Sequence, residues 1–116
     1  MEKSASYMFI ASMDVESEKE NLFNEVYDQE HVPTLLKVPG VLSIYRATKE
    51  RLVLSMGGKE EEILSKEPRY SAFYLITNPN VLVSDDWARA IEEGRWPLEV
   101  RPFTFNRQHV LRKVRD

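Results

Sequence analysis

Tyr7-Met8-Phe9-Ile10-Ala11-Ser12-Met13 is apolar at nearly every position rather than at alternate ones, the pattern of a β-strand covered on both faces. Tyr70-Ser71-Ala72-Phe73-Tyr74-Leu75-Ile76 repeats it. After the first strand, Ser17-x-x-Glu20 has capping-box spacing, with Asp14 as an alternative cap. It predicts a helix that runs to about Glu30 or His31 and buries Leu22, Phe23, Val26 and Tyr27. Pro33 disfavours the α region for Val32 and is placed to open a second short helix to Lys37, which Val38-Pro39-Gly40 stops. Val41-Leu42-Ser43-Ile44-Tyr45-Arg46 is β-branched and aromatic after a Pro-Gly turn and reads as the second strand. Beyond the third strand, Asn78 as cap with Pro79 starts a second long helix, which Gly94 ends and which holds Val81, Leu82, Trp87, Ala88 and Ile91. Val100 to about Val110, with Phe103 and Phe105, reads as the last strand before the basic tail Arg112-Lys113-Val114-Arg115.

The order is β-α-β-β-α-β, which predicts an α+β, ferredoxin-like protomer: a four-stranded antiparallel sheet with two long helices on one face. Covering one face only would leave the apolar residues of the other in water, a patch that soluble monomers rarely show. The sequence therefore predicts a homodimer packed sheet to sheet. The competing expectation is that part of residues 48–68 folds back over the sheet. That segment carries Leu52-Val53-Leu54, Gly57-Gly58 and Glu60-Glu61-Glu62, and reads as a strand extension followed by a mobile loop.

At 116 residues the chain has the size of a single domain, 1–116, and can bury about two-thirds of its extended surface. A hydrophobic content of 42% and a net charge of −3 give no basic footprint, so neither nucleic acid nor a membrane is an expected partner. No run approaches the roughly 18 apolar residues of a membrane-spanning helix. The absence of cysteine removes disulfides, thiolate metal sites and a thiol nucleophile. Met1 to Ser6 lacks a basic region and a cleavage pattern, so no signal peptide is read and the expected compartment is the cytoplasm.

Asn24, Asp28 and His31 fall at i, i+4 and i+7 of the first helix, one polar stripe beside its apolar arc. A carboxylate at Asp28 bonded to His31 would fix the imidazole tautomer and free the other nitrogen as a general base near neutral pH. A group titrating between about pH 6 and 8 would then control the rate. Alternatively, His31 only closes a helix C-terminus and favours its dipole. Tyr45, Tyr74 and Trp87 offer either aromatic pocket walls or core packing, and Arg46 either an anion anchor or a surface ion pair. His109 is the only other histidine. Gly57-Gly58 lacks the surroundings of a phosphate-binding loop, and Asp28, Glu30 and His31 do not make a metal set. No cofactor or metal is expected. Glu60-Glu61-Glu62 and Asp85-Asp86 read as solvated faces.

The run F-N-x-x-Y-D-x-E-H-V-P-x-L-L-x-V-P-G-V from Phe23 to Val41, followed by Arg46, resembles the EthD-like branch of the dimeric α+β barrel superfamily. The likeness extends over most of the chain except residues 48–68. It implies a ferredoxin-like protomer that dimerises as an α+β barrel, with a pocket between sheet and helices for an apolar or aromatic small molecule. It also implies proton-transfer chemistry, either lyase or isomerase (dehydratase, cyclase), or cofactor-independent monooxygenase; the alternative is a non-catalytic ligand-binding or assembly module. His31 is the implied acid–base residue and Asp28 its orienting partner, with Asn24, Tyr27, Tyr45, Arg46, Tyr74 and Trp87 as candidate substrate contacts. Val26 stands where such proteins often carry a Trp before Tyr27.

Overall fold

The computed structural model describes residues 7–115, so residues 1–6, on which the signal-peptide reading rests, and residue 116 lie outside it. In chain order the elements begin with strand β1 (Tyr7–Val15), a 3-10 turn (Ser17–Lys19) and helix α1 (Glu20–Val26). A π turn (Tyr27–His31) then leads directly into α2 (Val32–Leu36). Strands β2 (Val41–Thr48), β3 (Leu52–Met56), β4 (Lys59–Ile63) and β5 (Tyr70–Ile76) follow. A 3-10 turn (Pro79–Val83), helix α3 (Asp85–Ala90), a second π turn (Trp96–Val100), a further 3-10 turn (Arg101–Phe103) and strand β6 (Thr104–Lys113) complete the chain.

The main sheet has the order β2-β5-β1-β6 and every neighbouring pair is antiparallel. Setting the β3–β4 hairpin aside, this is the βαββαβ ferredoxin-like arrangement that the element order predicts. Alternate residues of the two central strands, Ala11 and Met13 of β1 and Tyr70, Ala72, Tyr74 and Ile76 of β5, face the helices. There they bury against Phe23, Val26, Leu35 and Trp87. Among the described residues no helix is long and apolar enough to cross a membrane.

Outside the Tyr27–His31 turn, the helices depart from the sequence reading in three places, each with a local cause. First, the capping box does not form: Glu16 is the cap of the opening turn without a side-chain bond. Asp14 instead accepts from the Arg69 backbone N–H at 2.7 Å and from Asn106 Nδ2 at 3.0 Å, tying β1 to the ends of its neighbours. Second, the predicted 78–94 helix is two short pieces. Asn78 caps the first, accepting from the Asn80 N–H at 2.9 Å. Ser84 then leaves the helical region and caps α3 by accepting from the Trp87 N–H at 3.1 Å, since a serine hydroxyl competes for backbone donors and restarts a helix. Third, Val100 to Phe103 is helical rather than extended, because Pro97 and Pro102 each open a turn as proline does at a first helical position.

Beyond Lys49 the 48–68 segment forms a separate hairpin that neither joins the main sheet nor lies over it. β3 and β4 pair only with each other, turning on Gly57-Gly58 at φ +59° and +82°. Two consecutive positive φ values are what a two-residue type I′ hairpin turn demands. Leu52, Val53, Leu54 and Met56 remain exposed, as does the Glu60-Glu61-Glu62 run on β4. The face of the main sheet opposite the helices carries Tyr45, Phe73, Ile10 and Val110 in one row across all four strands. Of residues 48–68, Glu67 reaches a shallow cavity of about 150 Å³ on that face.

At the hairpin's base the Lys49 N–H donates to the Arg69 carbonyl at 2.7 Å, one step beyond the Thr48–Tyr70 pair. Replacing residues 50–68 by Asn-Gly is therefore expected to preserve the four-stranded sheet. Shortening the connection raises unfolding free energy by up to about 2 kcal/mol through loop-closure entropy. Urea denaturation checks this; a loss of stability above about 2 kcal/mol would mean that the hairpin is part of the packed core.

Candidate functional site

The site is organised around the π turn. Pro33 has no N–H to give the Gln29 carbonyl and its ring would press on that carbonyl in an α-helix. The chain responds by widening rather than stopping: Val32 stays in the right-handed region (φ −62°, ψ −51°) and its N–H donates to the Tyr27 carbonyl five residues back. The predicted break before Pro33 is thus absent. A π turn rotates the chain less per residue than an α-helix, so side chains three apart diverge more. Asp28 and His31 separate for this reason, and the single polar stripe predicted from α spacing splits in two.

Asn24 and Asp28 stay on the outer side and share Arg46, which donates from Nη2 to Asn24 Oδ1 at 2.9 Å and from Nη1 to Asp28 Oδ1 at 2.7 Å. The guanidinium also lies 4.5 Å from the centre of the Tyr27 ring. Tyr27 and His31 turn inward and are buried, His31 with 6% of its surface exposed. The imidazole stacks on Trp96 at 4.3 Å and 19° and meets Tyr27 edge-on at 5.0 Å and 83°. Aromatic packing, not a carboxylate, sets its orientation.

Trp96 is held over His31 from the far side of the chain. Glu30 accepts from the Arg95 backbone N–H at 3.0 Å and from Arg95 Nε at 2.6 Å, while Arg95 Nη2 reaches Glu25 at 2.9 Å. Gly94, at φ +69°, lets this happen: a Cβ there would lie 2.5 Å from Glu30 Oε1. The same bonds hold the Glu30 carboxyl below its usual range, the Arg95 N–H contributing most.

Beneath the π turn lies a half-open cavity of about 220 Å³. His31, Tyr27, Tyr74 and Trp87 line it together with Phe9 and Trp96. The Tyr27 and Tyr74 hydroxyls bond to each other at 2.7 Å in the buried interior. Arg101, Arg107 and His109 also border the cavity, and the His109 ring stacks on Phe9 at 5.9 Å and 10°.

Burial decides the protonation states. It pushes His31 down from 6.5 to about 4, helped by the nearby Arg101 charge and opposed by Glu92. At neutral pH the imidazole is neutral, and its Nδ1 is buried without a hydrogen-bond partner among the described residues. The controlling group expected between pH 6 and 8 is therefore displaced downward. Burial raises Tyr27, against the Tyr74 hydrogen bond and the Arg46 and Arg107 charges. Tyr74 is raised well above its ordinary value by burial and by its tyrosine partner. Both phenols keep their protons. Among the described residues no cluster of three or more His, Cys, Asp or Glu is placed to hold a metal ion.

Of the sequence candidates, the structure gathers His31, Tyr27, Tyr74 and Trp87 at the cavity and leaves Asn24, Asp28 and Arg46 behind Tyr27. Tyr45 lies on the opposite sheet face, 57% exposed. Trp96, Arg101, Arg107 and the approach of His109 escape the sequence reading, because the loop after Gly94 docks on the first helix from 65 residues away and β6 pairs with β1 from the other end of the chain. A signal was present in Pro33 and Pro102, each two residues beyond a π turn that closes on an i−5 carbonyl.

No family model matches the chain, and no curated protein sequence matches it. Solved structures do. An ethyl tert-butyl ether D (EthD) family protein of Bacillus halodurans superposes with a TM-score of 0.58 at 16% identity, over 95% of this chain and 99% of that one. The heme-degrader MhuD of Mycobacterium tuberculosis, solved with two hemes in its active site, gives 0.57 at 12% identity over 93% and 94%. The chain shares their fold.

Because the folded-state pKa of His31 lies below its unfolded value, the unfolded chain binds more protons between pH 6.5 and about 4. Stability therefore rises with pH across this window and is lost as pH falls through it, by up to about 3 kcal/mol from this group. His109, also lowered by burial, acts in the same sense. His31→Phe should flatten the His31 part of the curve in denaturation at pH 4.5 to 7.5. Identical slopes in wild type and variant would show that the imidazole is not held neutral by burial.

Proposed function

We propose that the chain is a small cytoplasmic enzyme of the proton-transfer type, acting by dehydration, cyclisation, isomerisation or cofactor-free oxidation on an apolar or aromatic carbonyl compound. The supporting observation is one wall of the cavity. The neutral imidazole of His31 lines it beside a pair of phenols that keep their protons. A neutral ring nitrogen takes the proton next to the carbonyl, and a tyrosine hydroxyl donates to the oxygen as charge develops on it. Exclusion of water strengthens both interactions. Asp28 and Asn24 serve as positioning residues, fixing Arg46 against the outer face of Tyr27.

An apolar cavity of about 150 Å³ holds benzene, so about 220 Å³ fits one ring with its substituents. It is smaller than the roughly 300–1,000 Å³ of sites for drug-sized ligands.

A second reading, a ligand-binding module, is favoured by one observation: among the described residues no carboxylate hydrogen-bonds His31 Nδ1, and a base titrating near 4 is weak. Solvent deuterium exchange at the carbon beside the carbonyl of a bound aromatic ketone, followed by NMR, separates the two. The enzyme reading expects exchange above the buffer rate, flat from pH 5 to 8, and about 10²–10⁴-fold slower in His31→Ala. Binding without exchange would establish the module instead.

The proposed assembly is a homodimer through the open sheet face, where the Tyr45–Phe73–Ile10–Val110 row would meet its copy. Light scattering is expected to give twice the protomer mass, and Phe73→Glu to give the single mass with the fold retained. A wild-type protein that scatters as one protomer in dilute solution would refute the dimer.

A further inference from the structure

The polar groups around the cavity are two tyrosines, two histidines and two arginines, and neither Asp nor Glu is among the lining residues. Such a set is rich in donors and positive charge and poor in anions. The two arginines differ. Arg101 is neutralised: it grips Glu92 with both nitrogens, at 3.0 and 2.6 Å, and donates to the Ile91 carbonyl at 2.8 Å. Arg107 makes no salt bridge among the described residues, and its charge is felt by Tyr27 and His109. The cavity therefore carries one uncompensated cation at its border and an apolar interior of Phe9, Leu35, Trp87, Ile91 and Trp96.

We propose that the ligand of this cavity is a small ring carboxylate, its ring among Phe9, Trp87 and Trp96 and its carboxylate on Arg107. A guanidinium recognises a carboxylate through two parallel N–H donors, which a neutral carbonyl or alcohol cannot match. The ring is limited by volume to one, with small substituents. The anion also offsets the positive charge that His31 acquires when it takes a proton. The proposal rests on the reading of this cavity as the working site and narrows its substrate from aromatic carbonyl compounds in general to anionic ones.

Calorimetry with benzoate, benzamide and benzyl alcohol tests it on the full chain. Benzoate is expected to bind at least tenfold more tightly than either neutral probe. Arg107→Gln should abolish that preference while leaving benzamide affinity within twofold. Arg112→Gln, which removes a cation from the opposite face of the same strand, should leave the preference intact. Circular dichroism of each variant confirms its fold. Equal affinity for benzoate and benzamide would overturn the anion assignment and leave the cavity reading standing. Loss of the preference in both arginine variants would overturn it in favour of diffuse charge attraction. Failure of all three probes to bind would overturn both readings.

Discussion

A proline inside a helix is the constraint on which this site depends. Pro33 cannot donate to Gln29 and would collide with its carbonyl, and the usual result is a kink or a stop. Here the helix survives because Val32 pairs with Tyr27 across five residues. The widening turns Tyr27 and His31 together toward the sheet and leaves Asp28 on the surface with Arg46. Had the segment remained α-helical, Asp28 would have been within reach of His31, and the histidine would have been a carboxylate-supported base. A backbone adjustment thus sets the chemistry that the side chain can perform.

What holds the histidine in place is assembled from distant parts of the chain. Trp96 stacks on it, and Trp96 is fixed because Arg95 is clamped by Glu30 and Glu25. These ion pairs are partly exposed and individually contribute little to stability. Their consequence is positional: they close the loop after Gly94 over the first helix and thereby form the cavity wall. In the interior burial outweighs every neighbouring charge. It lowers His31 and raises Tyr27 and Tyr74, so that all three are neutral at pH 7. The positive charges remain at the border, where Arg101 is satisfied by Glu92 and Arg107 is among the lining residues.

The sheet divides the molecule's work between its faces. On one, alternate residues of β1 and β5 pack under the helices and frame the cavity; on the other lies the row of Tyr45, Phe73, Ile10 and Val110. The β3–β4 hairpin does not cover that row, since its strands satisfy only each other. Its double-glycine turn gives it a self-contained geometry, and the ladder at Lys49 and Arg69 continues beneath it.

The element order, the two-faced apolar strands and the position of the first helix were legible in the residues themselves, because period, turn chemistry and burial on both faces are local properties of Tyr7–Met13, Phe23–Val41 and Tyr70–Ile76. Local reading failed where two rules competed. Pro33 opens the expected second helix, yet the break expected at Val32 is a widening; Ser84 interrupts what spacing makes one helix; Pro97 and Pro102 turn an expected strand start into helix. The membership of the cavity was beyond sequence reasoning for a different reason. Trp96, Arg107 and His109 line one cavity with His31 only because the last strand lies beside the first and the loop before it docks on the first helix. Sequence spacing fixes neighbours along a helix or strand, whereas burial, and with it the neutral state of His31, is decided by what the tertiary fold packs around the side chain.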